Sequence, residues 1–199
     1  QVLTPMRRGE LGVEALNAVM KELLNPDPSA RAAGPSLFGE EDQENGGETV
    51  IVRRQAFTRG DRVMQTANNY DKNVFNGDIG HVVSVDARTR EAIVQFEGRS
   101  VSYLADELDQ LVLAYATTIH KSQGSEYPAV IIPIHTQHWI MLRRNLLYTA
   151  LTRARRLACL VGTRRALRRA VANAERGRRW TGLRHFLAEW LRSNDRREG

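Results

Sequence analysis

The hydrophobic positions of this chain repeat in three different ways along its length, and each way predicts a different element. Near the start, Leu16, Val19, Met20, Leu23 and Leu24 recur at helical spacing, and Pro26 and Pro28 stop the helix. Val2-Leu3-Thr4 before it reads as the end of a strand, which suggests that something N-terminal precedes it. From Glu48 the elements shorten. Glu48–Val52, Asp61–Gln65, Val82–Val85, Ala92–Phe96, Ser100–Leu104 and Leu111–Tyr115 are strand candidates, several separated by turn signals at Asn76-Gly77-Asp78, 86–90 and Glu97-Gly98. Short strands joined by tight turns predict a small SH3-like barrel. In the third pattern, the apolar runs Ala129–Ile134 and Leu157–Val161 suit strands buried on both faces of a parallel sheet. They alternate with a helix over Asn145–Ala154 and another, capped by Thr163, that runs to about Ala174. Residues 117–123 read as a short helix or turn. A last amphipathic helix over Thr181–Arg192 carries Leu183, Phe186, Leu187, Trp190 and Leu191 on one face.

Strand–helix–strand–helix order implies an α/β layer with right-handed crossovers, interrupted by the β-rich module. A chain of 199 residues accommodates one domain with such an insertion. The Pro-, Gly- and acid-rich stretch from Asn25 to Glu48 reads as a surface loop. A formal net charge of +6 and a pI near 10.0 favour an anionic partner, nucleic acid first. No apolar run approaches the ~20 residues of a membrane-spanning helix, and the N-terminus lacks a signal-peptide pattern, so the features fit a cytoplasmic protein. The single Cys159 excludes an intrachain disulfide and any cysteine-cluster metal site, and its apolar surroundings predict a buried strand residue. No lysine follows Lys121, whereas arginines are frequent from Arg143 onward. Arginine suits bidentate phosphate contacts, although Arg-rich codon usage explains the same bias.

Three polar segments sit against apolar strands. Ala116-Thr117-Thr118-Ile119-His120-Lys121-Ser122-Gln123-Gly124-Ser125-Glu126 clusters hydroxyls, imidazole, amine and amide just before a predicted buried strand. Such groups are costly there unless they meet a ligand. Gly124 would let a ligand approach the backbone, and Glu126 could accept from a ribose hydroxyl. In Leu147–Arg155, helical spacing puts Thr149, Thr152, Arg153 and Arg156 on one face, with Arg153 pointing into a cleft. Pro5-Met6-Arg7-Arg8-Gly9 lies at a strand-to-helix junction, where backbone N–H groups and arginines suit phosphate.

Together these segments resemble superfamily 1 helicases, most closely the RecD-like branch (superfamily 1B, the family of the exodeoxyribonuclease V alpha subunit). Residues 116–126 resemble motif V, Tyr148–Arg155 motif VI and Pro5–Gly9 motif IV, while Asn68-Asn69-Tyr70 and Val74–Gly80 match the entry to an SH3-like insertion. The resemblance implies a RecA-like α/β motor domain of the P-loop NTPase type, split as 1–66 and 113–199 around a barrel at 67–112. It implies that Arg153 is an arginine finger reaching the γ-phosphate of ATP, with Arg7, or failing that Arg8, as a second phosphate-sensing arginine. Gly124 and Glu126 would lie at the nucleotide's edge. Thr117, Thr118, His120, Lys121, Gln123 and, at the barrel, Asn76 would line the path of single-stranded DNA.

No Gly-Lys pair occurs, so the phosphate loop is absent, as is an apolar strand ending in Asp-Glu to hold magnesium. ATP with Mg²⁺ would therefore bind mainly on an N-terminal half of the same helicase, and the chain alone would be inactive. The expected substrates are single-stranded DNA and single-strand/duplex junctions in repair or recombination, with movement 5′ to 3′. No nuclease-like carboxylate cluster is visible. The alternative is a stand-alone nucleic-acid-binding module without ATPase activity.

Overall fold

The computed structural model describes residues 1–26, 49–52 and 55–174, together with 182, 185–187 and 190. The expected loop over Asn25–Glu48 lies almost entirely outside the described residues, as does most of the expected helix over Thr181–Arg192.

Four parallel strands form one sheet in the order β11–β10–β1–β9: β1 (Val2–Thr4), β9 (Ala116–Thr118), β10 (Tyr127–Ile134) and β11 (Ala154–Gly162). β9 occupies the start of the segment expected to be a helix or turn. Its three residues pair in register with all of β1, and three residues are too few to show a period. Helices α2 (Arg144–Leu151) and α3 (Arg164–Ala172) cover one face of β10. Val130, Ile132 and Ile134 pack there with Leu142, Leu147, Ala150, Ala166 and Ala170. The Thr163 hydroxyl accepts from Ala166 N–H and caps α3, as its position before the apolar spacing predicts.

Five antiparallel strands make the second sheet, in the order β7–β6–β5–β4–β8: β4 (Arg62–Gln65), β5 (Ile79–Asp86), β6 (Glu91–Phe96), β7 (Arg99–Tyr103) and β8 (Leu111–Leu113). The sheet takes in Arg62–Gln65, before the boundary expected at residue 67. A hairpin of β2 (Val50–Val52) and β3 (Gln55–Phe57) adds Val50 and Phe57 to its core. Alternation is clean: Ala92, Val94, Phe96, Val101 and Tyr103 point inward between exposed neighbours, each large side chain contributing roughly 1.5–3 kcal/mol. Gly80 lets β5 meet β6 closely, since a Cβ there would stand 2.7 Å from Val94 Cγ1.

Two expectations about burial are corrected. β11 is an edge strand and exposed along most of its length: Leu157 is 60% exposed, and Cys159 is exposed too. Among the described residues it pairs only with β10, so an apolar run does not itself guarantee cover on both faces. In α1 (Val13–Leu24) the expected apolar stripe is also largely in solvent, with Val19, Leu23 and Leu24 all more than half exposed. The side that packs inward carries Asn17 and Lys21, with Asn25 at its end. Asn17 donates to the carbonyls of Leu113 and Ala116 and accepts from Ala116 N–H, at 2.8–3.0 Å. Lys21 pairs with the fully buried Asp61, whose carboxylate also accepts from Asn25 Nδ2, Tyr115 Oη and Thr58 N–H at 2.8–2.9 Å. This network joins the parallel sheet's first helix to the base of the barrel.

Candidate nucleic-acid and nucleotide interface

Parallel pairing puts the four strand C-termini at one edge of the sheet and the N-termini at the other. Val2 and Ala116 are level with Ile131, and Thr4 is level with Thr118. The loops leaving Thr4, Thr118 and Ile134 therefore emerge together. Tyr127 begins β10 four residues before Ile131, about 13 Å lower, and is level with Ala154. The sequence-predicted site residues divide between these two edges.

The C-terminal edge carries Thr118, His120, Lys121 and Gln123. Thr118 Oγ1 accepts from Lys121 N–H at 3.2 Å and Ser122 Oγ donates to the Ile119 carbonyl at 2.8 Å, which fixes the turn and leaves His120, Lys121 and Gln123 exposed. Gly124 has φ +88° and open space where a side chain would stand. Thr117 is the exception. Strand alternation turns it away from Thr118 into the interior, where its hydroxyl has no hydrogen-bond partner among the described residues.

His120 and Gln123 line a cleft of about 230 Å³ together with the polar Arg143, Asn145 and Thr149 and the apolar Ile140, Met141 and Leu146. Ile140 is 81% exposed at its rim. Sequence reasoning missed Arg143, Asn145 and the segment Thr136–Met141, a 3₁₀ turn whose length gives no hydrophobic period. The only hint was the run of polar residues just before motif VI.

The N-terminal edge carries Arg153, Ser125 and Glu126. α2 ends at Leu151, so Arg153 sits in the turn between helix and strand, and Arg156 belongs to β11 instead of the expected helical face. Arg153 Nε donates to the Thr149 carbonyl at 3.2 Å and Nη1 to the Ser125 carbonyl at 3.1 Å, while its own carbonyl accepts from Tyr127 N–H at 2.8 Å. Nη2 donates to Thr152 Oγ1 at 3.2 Å. The half-buried guanidinium thus pins the turn after α2 to the segment before β10 through neutral acceptors. Beside it Glu126 pairs with Arg155 at 2.9 Å, both half or more exposed.

Arg7 and Arg8 do not join this cluster. They follow Thr4 at the opposite strand ends, where Arg7 is exposed and pairs with Glu14 at 2.9 Å. In this arrangement Arg7 and Arg153 leave the sheet at opposite ends of its strands. Asn76 is exposed on the barrel, where Asn68 Oδ1 accepts from its N–H at 2.9 Å, and the following Gly77 takes φ +104°. Asp78 accepts from Phe75 N–H and pairs with Arg99 at 3.1 Å, so this segment is a braced turn. Ile79, next in the chain, packs against the core of the parallel sheet. Among the described residues no group of three or more His, Cys, Asp or Glu side chains is placed to hold a metal, and no helix is long and apolar enough to cross a membrane.

Residues 113–161 match the UvrD-like helicase C-terminal domain, and 37–96 match the ATP-dependent RecD-like DNA helicase SH3 domain. The ATP-dependent RecD2 DNA helicase of Deinococcus radiodurans is 41% identical over 155 residues, covering 78% of this chain and 19% of that protein. The RecBCD enzyme subunit RecD of Mycobacterium tuberculosis is 36% identical over 128 residues, covering 64% and 22%. The chain thus spans about a fifth of these relatives' length. Bacteroides Pif1 bound to single-stranded DNA has the same fold, with a TM-score of 0.53 at 19% identity, covering 99% of this chain and 46% of that one. Pif1 helicase from Candida albicans gives 0.52 at 18%, covering 88% and 48%. A barrel of the RecD-like type and a UvrD-like C-terminal sequence in one polypeptide lead to a single assignment: the chain belongs to the RecD-like DNA helicases and matches their C-terminal part.

Proposed function

We propose that this chain is the second motor domain of an ATP-dependent 5′-to-3′ DNA helicase, with residues 67–112 inserted as a barrel between 1–66 and 113–199. It works joined to a domain that carries the phosphate loop and the magnesium ligands. The two edges of the parallel sheet divide the labour. Arg153 at the N-terminal edge serves as the arginine finger for ATP held by the other domain, with Glu126 and Gly124 beside the nucleotide. Thr118, His120, Lys121 and Gln123 at the C-terminal edge serve the DNA backbone. The arginine-finger role rests on Arg153 alone, since Arg7 and Arg8 stand at the DNA edge.

The observation that carries this reading is how Arg153 is held. Its guanidinium donates to two backbone carbonyls and one hydroxyl across the junction of motifs V and VI. Neutral partners orient a cation without cancelling it, which suits stabilisation of charge on a transferring phosphoryl group. A structural arginine would more simply be paired with a carboxylate. Support for ATP use comes from the relative named as ATP-dependent and from a Pif1 structure in complex with ADP-AlF3 and single-stranded DNA.

The test is DNA-stimulated ATP hydrolysis by the polypeptide in which this chain is joined to a phosphate-loop domain. Arg153→Ala is expected to lower turnover by roughly 10³-fold or more while leaving single-stranded DNA affinity near normal. Unchanged turnover would mean the arginine only braces the junction, and the chain would then be read as a nucleic-acid-binding module.

A further inference from the structure

Helix α3 presents four arginines, Arg164, Arg165, Arg168 and Arg169, and all four are exposed. None makes a salt bridge with a described residue. Its other side is small and buried, through Ala166 and Ala170. Two of the arginines are not loose. The Cζ atoms of Arg165 and Arg169 lie 5.7 and 5.0 Å from the centre of the Trp139 ring, itself 40% exposed. Arg165 and Arg169 are one helical turn apart, about 6 Å along the axis. A cation over an indole face gives up neither its charge nor the in-plane N–H donors that recognise phosphate oxygens. The stack thus orders two long side chains in advance and leaves them free to bind.

The position of this platform gives it meaning. Trp139 lies in the turn Thr136–Met141, whose next residues, Ile140 and Met141, line the cleft containing His120 and Gln123. Thr163 opens α3 at the C-terminal end of β11, the same edge of the sheet. Asn173 Nδ2 donates to the Leu142 carbonyl at 3.0 Å, and Arg144 Nε donates to the Val171 carbonyl at 2.9 Å, which holds this turn and α3 together. Among the described residues, the carboxylate bonded to this segment is Glu10, which accepts from Gln137 at 2.8 Å.

We propose that Trp139 and the Arg165 and Arg169 guanidiniums form a second single-strand contact, where DNA leaving the cleft lays its phosphates along α3. This rests on the DNA-edge reading above and extends it beyond the loop that leads to His120.

The experiment measures binding of the full chain to oligothymidines of ~5 and ~20 nucleotides across a salt series. Each lost single-strand phosphate contact lowers the salt slope by about 0.7, so Arg165→Ala/Arg169→Ala is expected to reduce it by about 1.4. At ~0.1 M salt that corresponds to a loss of about 25-fold for the longer oligomer, relative to ~1 M. The shorter one, accommodated by the cleft, keeps its affinity, and the melting temperature stays unchanged. Arg165→Lys/Arg169→Lys is expected to retain the wild-type slope. Unchanged binding of the longer oligomer by the alanine pair overturns the proposal and points instead to an acidic protein partner. So does equal weakening of both lengths, or a lysine pair as weak as the alanine pair. Failure of the wild type to bind either oligomer would overturn the DNA-edge reading as well.

Discussion

In the barrel, β6 and β7 turn every second residue inward, and Ala92, Val94, Phe96, Val101 and Tyr103 are all buried. In the parallel sheet, β10 buries Val130, Ile132 and Ile134 but leaves Ile131 44% exposed, and β11 beside it is exposed almost throughout. Both regions are rich in Val, Ile and Leu. The five strands of the barrel curl over one shared core, to which the β2–β3 hairpin adds Val50 and Phe57, so its inward face is covered within the module itself. A parallel sheet depends on helices for cover. Here α2 and α3 supply it for one face of β10. The barrel's residues therefore report its core directly, whereas those of the sheet report only where cover could be placed.

The seam between the two regions is where the largest effect is expected. Asp61 is fully buried and binds Lys21, Asn25, Tyr115 and Thr58, from both sides of the seam. Asp61→Ala leaves Lys21 without its counter-charge and strips three donors of their acceptor. The expected loss is about 4 kcal/mol, read by urea unfolding followed separately through barrel and helix signals. A loss under ~1 kcal/mol would mean that the two regions are held by the Asn17 hydrogen bonds and apolar packing instead.

Next comes the contrast within the sheet itself. Ile132→Ala empties a fully buried position under α2 and α3 and is expected to cost about 3 kcal/mol. Leu157→Ala, on the neighbouring strand at 60% exposure, is expected to stay within about 0.5 kcal/mol. Equal losses would show that β11 is covered in solution. Thr163→Ala should remove about 1 kcal/mol by uncapping α3. Thermal melts resolve all three.

This contrast also shows what the sequence made legible. The barrel's alternation, the order of the α/β elements and the Thr163 cap were readable because a local rule sets each of them. The segments 116–126 and 148–155 drew attention as polar groups beside apolar runs, but His120, Lys121 and Gln123 lie exposed, so burial is not what singles them out. What escaped depended on distant partners. The buried side of α1 is Asn17 and Lys21, because the barrel offers two carbonyls, an N–H and a carboxylate there. The separation of Arg7 from Arg153 is set by strand register, which no spacing along the chain encodes. Trp139 reads as one more apolar residue until α3 brings two arginines to its ring.

The smallest effect expected is a pH dependence, and it separates the two regions once more. His138, beside the parallel sheet, is 1% exposed, and neither ring nitrogen has a hydrogen-bond partner among the described residues. Burial lowers its pKa, and the nearby His135 acts in the same direction. The Leu11 backbone, close by but outside hydrogen-bond geometry, pulls the other way. His81 on the barrel is also lowered, by partial burial and then by Arg62. A histidine whose folded pKa is depressed takes up a proton more readily when unfolded. Stability is therefore full above the unfolded value of about 6.5 and falls as the pH drops below it. His138→Leu should flatten that fall by less than one proton, and His81→Gln should remove a smaller share, since water screens an exposed ring. Urea midpoints from pH 7.5 to 5 would measure both. A His138→Leu protein with the wild-type slope would assign the acid sensitivity to the barrel instead of the sheet.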